Sequence, residues 1–297
     1  MMRRLITIVI FVLLCVTNSY AQKKYALLVG ISNYHALNKS NEWNNIHGTN
    51  DVSLITPTLK RQGFKVSVIT DTKATHANIL KQLKQLTHRV SKGAIVYLHF
   101  SCHGQPFEDK NGDEDDGWDE SLVPIDAPIA YKKGVYEGKN HITDDVLAEY
   151  LDALRFKLGS KGKLYVVVDA CHAGKASRDF DDETFTRGTK RGFSPSGKVY
   201  QAKSSSRTHF VVPIKAGQAP ATFLEACKST QINTETKKNG KFYGPMSYYI
   251  HQVLSTTPLG HNDAWVYKVQ GLMRKDIDAK RQDMVIEISH YCPVKVD

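Results

Sequence analysis

Two apolar runs end alike, and that pairing constrains the fold more than any other feature of the chain. Ala94-Ile95-Val96-Tyr97-Leu98-His99-Phe100 leads into Ser101-Cys102-His103-Gly104, and Lys163-Leu164-Tyr165-Val166-Val167-Val168 leads into Asp169-Ala170-Cys171-His172-Ala173-Gly174. Short β-branched and aromatic runs closed by glycine read as buried strands of a parallel sheet. Open α/β sheets gather ligands and catalytic groups at the carboxyl ends of such strands. One run delivers a histidine to that edge and the other a cysteine. The separation of 68 positions from His103 to Cys171 leaves room for a crossover helix and a long loop, which suits a nucleophile and base on neighbouring strands.

The rest of the chain alternates in the same style. Residues 25–31 read as a first strand, 51–62 as a helix with Pro57 inside it, 64–69 as a second strand, and 75–90 as an amphipathic helix with Ile79, Leu83, Leu86 and Val90 on one face. Residues 105–140 lack periodicity and predict a long loop. Thr143 reads as the N-cap of a helix over 144–157, whose first-turn acids suit the dipole. Beyond the second irregular stretch, 175–207, strands are expected at 210–212, 221–226 and 284–288, and helices at 245–254 and 264–281. Strand and helix in alternation predict an α/β fold with a mostly parallel central sheet and helices on both faces.

These residues resemble a known family. His103-Gly104 after one strand and Asp169-Ala170-Cys171-His172-Ala173-Gly174 after another look like the caspase-like cysteine peptidases of the metacaspase and paracaspase type. Also similar are the acidic run from Asp113 to Glu120, Leu122-Val123-Pro124-Ile125-Asp126 after it, and the early Gly48-Thr49-Asn50-Asp51-Val52. The resemblance covers 24–254 and implies a caspase-like three-layer sandwich, with a p20-like part over 22–174, a flexible basic linker over 175–207 and a p10-like part over 208–297. Gly48 departs from metacaspases, which often carry cysteine at that position.

The resemblance also implies roles. Cys171 would attack the carbonyl, His103 would protonate the leaving amine, and the Gly104 and Cys171 amides would form the oxyanion hole. Asp169, Asp51 and Ser101 would line an acidic S1 pocket for Arg or Lys, where caspases proper carry glutamine in place of Asp169. A carboxylate two residues before the nucleophile attracts a cationic side chain on physical grounds alone. Asp51 also reads as a helix N-cap. The implied activity is an endopeptidase cutting proteins or peptides after Arg or Lys. A non-proteolytic binding or scaffold protein is the alternative.

No cofactor is required for such chemistry, but calcium is an expectation: the metacaspases that need it bind it through aspartates matching Asp119, Asp144 and Asp145. The spacing of Asp109, Asn111, Asp113, Asp115 and Glu120 approximates an EF-hand loop, although Glu114 stands where glycine is required. A solvated acidic loop is the plainer reading. Zinc held by Cys102, His103, Cys171 and His172 is disfavoured, because adjacent strand residues point to opposite faces.

Met1-Met2-Arg3-Arg4, an apolar stretch over 5–16, and small residues ending at Ala21 read as a secretory signal peptide over 1–21. The mature chain would be exported, with no membrane span. Its removal lowers the formal charge from +10 to +8 and leaves Cys102, Cys171, Cys227 and Cys292. They read as free thiols, with Cys227 and Cys292 as isolated hydrophobes. The basic excess is spread out and not interleaved with aromatics, which argues against nucleic acid as a partner. The 175–207 stretch reads as too polar to pack. It holds Lys175, Arg178, Arg187, Lys190, Arg191 and Lys198, each a bond that a base-directed peptidase would cut in itself.

Overall fold

The computed structural model describes residues 22–39, 41–172, 184–202 and 207–290; the expected signal peptide, Lys175, Arg178 and Cys292 lie outside them. A seven-stranded sheet forms the middle layer. Its strands are β1 (Lys24–Gly30), β2 (Phe64–Thr70), β3 (Ile95–Ser101), β7 (Lys163–Asp169), β8 (His209–Pro213), β9 (Ala221–Glu225) and β12 (Val285–His290), in the order β2-β1-β3-β7-β9-β12-β8. Every neighbouring pair is parallel except β9 with β12. Helices α2 (His76–Arg89) and α3 (Asp144–Leu158) cover one face, and α1 (Gly48–Arg61), α4 (Pro245–Leu254) and α5 (Ala264–Asp276) the other. The expected three-layer α/β sandwich is therefore present. Successive side chains of the central strands enter opposite layers: Val96 and Leu98 join the α2–α3 core, while Ile95 and Tyr97 join the α1–α4–α5 core.

Local signals explain most boundaries. The Thr143 hydroxyl accepts the Val146 amide and caps α3, as its position predicts. α1 starts earlier than expected, at Gly48, after a His47 that makes no side-chain cap. Asp51 therefore lies inside the first turn and is not an N-cap. The loop expected over 105–140 is a second correction, because it contains β4 (His103–Glu108) and β5 (Trp118–Val123), completed by the short β6 (Ile142–Thr143) into a three-stranded antiparallel sheet. Neither strand shows a two-residue alternation, since nearly every residue of both is buried. Pro106 inside β4 further masks it. A small hairpin, β10 (Thr236–Lys238) and β11 (Lys241–Tyr243), precedes α4. Among the described residues no helix is long and apolar enough to cross a membrane.

Candidate active site

Sheet register assembles the site. The β3–β7 ladder pairs Ser101 with Asp169, and the β1–β3 ladder pairs Gly30 with Ser101. α1 abuts this edge so closely that a Cβ on Gly48 would lie 2.3 Å from the Ser101 carbonyl oxygen. A cysteine there would push helix and sheet apart, so glycine at this position is a packing requirement. The same approach carries Asp51, one helical turn on, to Ser101, whose hydroxyl donates to its carboxylate at 2.5 Å.

Asp51, Ser101 and Asp169 are brought together as expected, and all three are fully buried. Their common partner is Arg187, also fully buried. Its Nη1 donates to Asp51 at 2.6 Å and to the Ser101 hydroxyl at 2.6 Å, and lies 3.4 Å from an Asp169 oxygen. Glu235, absent from the sequence-derived set, takes the other side of the guanidinium, accepting from Nε at 3.0 Å and Nη2 at 2.8 Å. Each carboxylate has further support. Asp51 accepts the Gly244 amide; Asp169 accepts the Ser247 amide and hydroxyl and the Asn233 side chain; Glu235 accepts the His47 amide and ring. Behind Ser247 lies His99, which burial pushes down to about 4, so it stays neutral while touching the Ser247 hydroxyl.

The three carboxylates do not share their charge equally. Burial, then the neighbouring Asp169 and Glu235, push Asp51 up to about 7, although Arg187 opposes the rise. Burial is the largest influence on Asp169 and Glu235 and would raise both, but Arg187 and their donor hydrogen bonds together outweigh it and hold both below the ordinary carboxylate range. Asp51 is thus the weakest acid of the three.

The backbone of the same arginine occupies a second feature. The Arg187 carbonyl accepts the Cys171 amide at 2.9 Å and the Gly104 amide at 3.2 Å. Upstream, Arg187 donates its amide to the Asn233 carbonyl, and Glu235 donates its amide to Phe185, so 185–187 lies extended against 233–235. Downstream, a Cβ on Gly188 would come within 1.7 Å of the Cys171 carbonyl oxygen. Around Arg187 the 175–207 stretch is therefore packed, contrary to the reading from its polarity, while 195–199 is exposed as that reading expects. Arg187, Gly188, Thr189 and Phe193 are buried, the arginine because its charge has partners within the site, while Lys190 and Arg191 stay exposed.

His103 opens β4. Its ring stacks on Trp43 and tilts against Tyr34, both 4.7 Å between centroids. Nε2 faces the Asn44 carbonyl at 2.8 Å, which only accepts, so that nitrogen carries the proton. Nδ1 is left as the lone-pair nitrogen, buried and without a hydrogen-bond partner among the described residues. Burial pushes His103 down to about 4, against the pull of Asn44. The Cys171 thiol donates to the Gln231 carbonyl at 3.0 Å. Cys227, expected to be isolated, lies 3.3 Å from it, sulfur to sulfur. Burial pushes the Cys102 thiol up to about 12, so it stays protonated away from the site. His172 turns to Glu120 at 3.3 Å.

Of the expected calcium residues, Asp119 joins Asp109 and Asp113 in a cluster whose oxygens lie within 4.8 Å of one another. Asp109 also ties the loop together, accepting the amides of Asn111, Gly112 and Glu114. Burial, then Asp145, raise Asp119 to about 6; burial, then Asp119, raise Asp144 to about 7. Asp145 is engaged by the Asn111 side chain. Glu120, the twelfth residue of the EF-hand-like spacing, is committed to His172 instead.

Comparison with known proteins shows the family and the fold. The family model described as the caspase domain matches residues 23–290. Metacaspase-1 of Schizosaccharomyces pombe is 28% identical over 280 residues, covering 80% of this chain and 61% of that protein. Metacaspase-1B of Aspergillus fumigatus is 25% identical, covering 92% of this chain and 71% of that one. The chain spans about three fifths of the length of the first of these relatives. A crystal structure of a Geobacter sulfurreducens protein has the same fold, with a TM-score of 0.59 at 17% identity over 91% of this chain and 94% of the other.

Proposed function

The chain belongs to the caspase domain family, and from that premise we propose that it is a cysteine endopeptidase that cuts after arginine or lysine and first cuts itself after Arg187. The observation that carries the reading is the double engagement of Arg187, its guanidinium among three carboxylates and its carbonyl on two amides at the cysteine. A carbonyl polarised by two backbone donors beside a thiol is the ground state of acyl transfer.

In this reading Cys171 is the nucleophile. Rotation about its Cα–Cβ bond carries the sulfur away from Gln231 and Cys227 towards the Arg187 carbonyl carbon. His103, neutral with its free Nδ1, takes the thiol proton and returns it to the leaving amine of Gly188. The Gly104 and Cys171 amides hold the oxyanion. Water then hydrolyses the thioester, and the same pocket accepts a basic P1 residue from a protein substrate. Lys fills it with fewer hydrogen bonds, because three carboxylates arranged around a planar fork favour Arg.

Asp109, Asp113 and Asp119, with Asp144 and Asp145 beside them, form an all-oxygen donor set whose mutual repulsion a hard divalent cation relieves. Calcium bound there would brace the loop that carries β5 next to the catalytic edge.

The test of self-cutting is the mass of purified protein. Wild type should give fragments ending at Arg187 and beginning at Gly188, while Cys171→Ala stays intact. If Cys171→Ala is cut at the same bond, self-processing is wrong. If neither protein is cut and no Arg substrate is hydrolysed, the peptidase reading falls.

A further inference from the structure

Downstream of the Arg187–Gly188 bond the chain occupies a groove of its own. Residues 188–193 run parallel to β4 along the edge that β5 leaves free, with bridges pairing Gly188 to Gly104 and Phe193 to Phe107. Phe193 donates its amide to the Pro106 carbonyl at 2.7 Å and accepts the Glu108 amide at 3.0 Å. Between these anchors the fully buried Gln105 side chain donates to the Arg191 carbonyl at 2.8 Å. Gln105 is fixed in turn by His141, and His141 by the Tyr136 hydroxyl.

The groove ends in an aromatic socket. Phe193, fully buried, stacks on Phe107 at 4.9 Å and 12°, and meets His141 at 4.7 Å, Tyr136 at 5.6 Å and Tyr131 at 5.9 Å. Phe107, Tyr136 and Phe193 form a hydrophobic cluster separate from the two cores that flank the sheet. Burial pushes His141 down to about 3, so the socket carries no charge. Backbone pairing to a free strand edge, closed by one large side chain in a pocket, is how a protein grips an extended peptide.

We infer that this groove is a substrate-binding exosite, reading an extended chain on the leaving-group side of the cut with an aromatic residue at the sixth position after it. This rests on the peptidase reading, with Arg187 as P1, and adds a substrate class to it: proteins in which a basic residue is followed, five residues after the new N-terminus, by Phe or Tyr. The spacing is set by two anchors, Gly104, which holds the P1 carbonyl, and Glu108, which holds the aromatic's carbonyl; the six positions from Arg187 to Phe193 cover four of β4, the excess bulging outward where Gln105 holds the Arg191 carbonyl. Gly188 adds that the first leaving-group residue is glycine, since the Cys171 carbonyl leaves no room for a Cβ.

The experiment uses the processed enzyme and three substrates: a peptide reading Arg-Gly-Thr-Lys-Arg-Gly-Phe-Ser after a common blocked leader, the same peptide with Ala for Phe, and a peptidyl-Arg fluorogenic amide with no residue in the groove. The Phe peptide should be cut with kcat/KM about tenfold or more above the Ala peptide, the scale of one buried aromatic anchor. If the chain's own Phe193 still fills the socket after processing, the preference is small in wild type and emerges in Phe193→Ala. Phe107→Ala, measured as the same peptide ratio, should remove it. Equal rates on both peptides in both wild type and Phe193→Ala, with the fluorogenic amide still cleaved, would overturn the exosite and leave the peptidase reading standing. Failure to cleave the amide would instead strike that reading. Should Phe193→Ala not fold, Phe193→Ser fused to a soluble carrier and wild type with excess Phe peptide as competitor give the same ratio, and absence of any preference in them overturns the inference equally.

Discussion

Asp51 shows how much of a site's behaviour one residue sets. Its carboxyl is pushed up to about 7 while Arg187 fills the pocket, and Arg187 lowers it; in an emptied pocket it titrates higher still. A raised carboxyl holds its proton longer in the folded state, so its contribution to stability is present below the unfolded value near 3.9 and lost as pH rises through the folded value. Ligand binding follows the opposite course, since a guanidinium entering the pocket expels the proton. The affinity of a benzamidine-type inhibitor should therefore rise with pH through and above about 7. His103, pushed down to about 4, is already neutral there and adds no slope. Inhibition constants measured across that range should show the rise in wild type and lose it in Asp51→Asn; a flat wild-type profile would show that Asp51 is ionised throughout. At the chemical step, His103→Ala should lower kcat by about 10²–10⁴, the usual contribution of general acid–base help. Turnover within a factor of two of wild type would remove His103 from the mechanism.

At the level of elements, strands and helices whose two faces differ, or that are apolar throughout, were legible from periodicity alone. β3 and β7 are continuous apolar runs, and their ends carry His103 and Cys171; α2 shows one clean apolar face. β4 and β5 were not legible, because a hairpin buried on both sides by later chain has neither a two-residue rhythm nor an apolar run. Glu235 and Arg187 were hidden for a related reason. A charge in a polar stretch looks solvated until its partner, 136 residues away from Arg187 in the case of Asp51, is known. Nothing in the spacing of Cys227 places it beside Cys171, where the fold brings the two sulfurs to 3.3 Å. The hairpin also carries the acidic loop. Millimolar Ca²⁺ added to chelated protein should raise the melting temperature, Mg²⁺ should do so less, and Asp119→Asn should abolish the effect. An unchanged melting temperature with Ca²⁺ would leave the cluster as a solvated loop.

Over the whole molecule, the sheet would join what the proposed self-cut separates. β7 lies upstream of Arg187 and β9 downstream, yet they are adjacent parallel strands, so a chain cut after Arg187 would hold together through the sheet. That makes the fate of the arginine a property of the entire fold. The pocket is shaped around a cation that belongs to the protein, and folding completes it with the charge already seated. If the bond after Arg187 is cut, that cation becomes a chain end and departs only by breaking its carboxylate contacts and the pairing of 185–187 with 233–235. Its departure would leave three acidic groups facing one another, with Asp51 holding a proton that relieves only part of their repulsion. The processed enzyme should melt several degrees below intact Cys171→Ala, and agmatine or another small guanidinium should recover the difference. Equal melting points without any such ligand would mean that the arginine stays where folding put it, and that every substrate must first evict it.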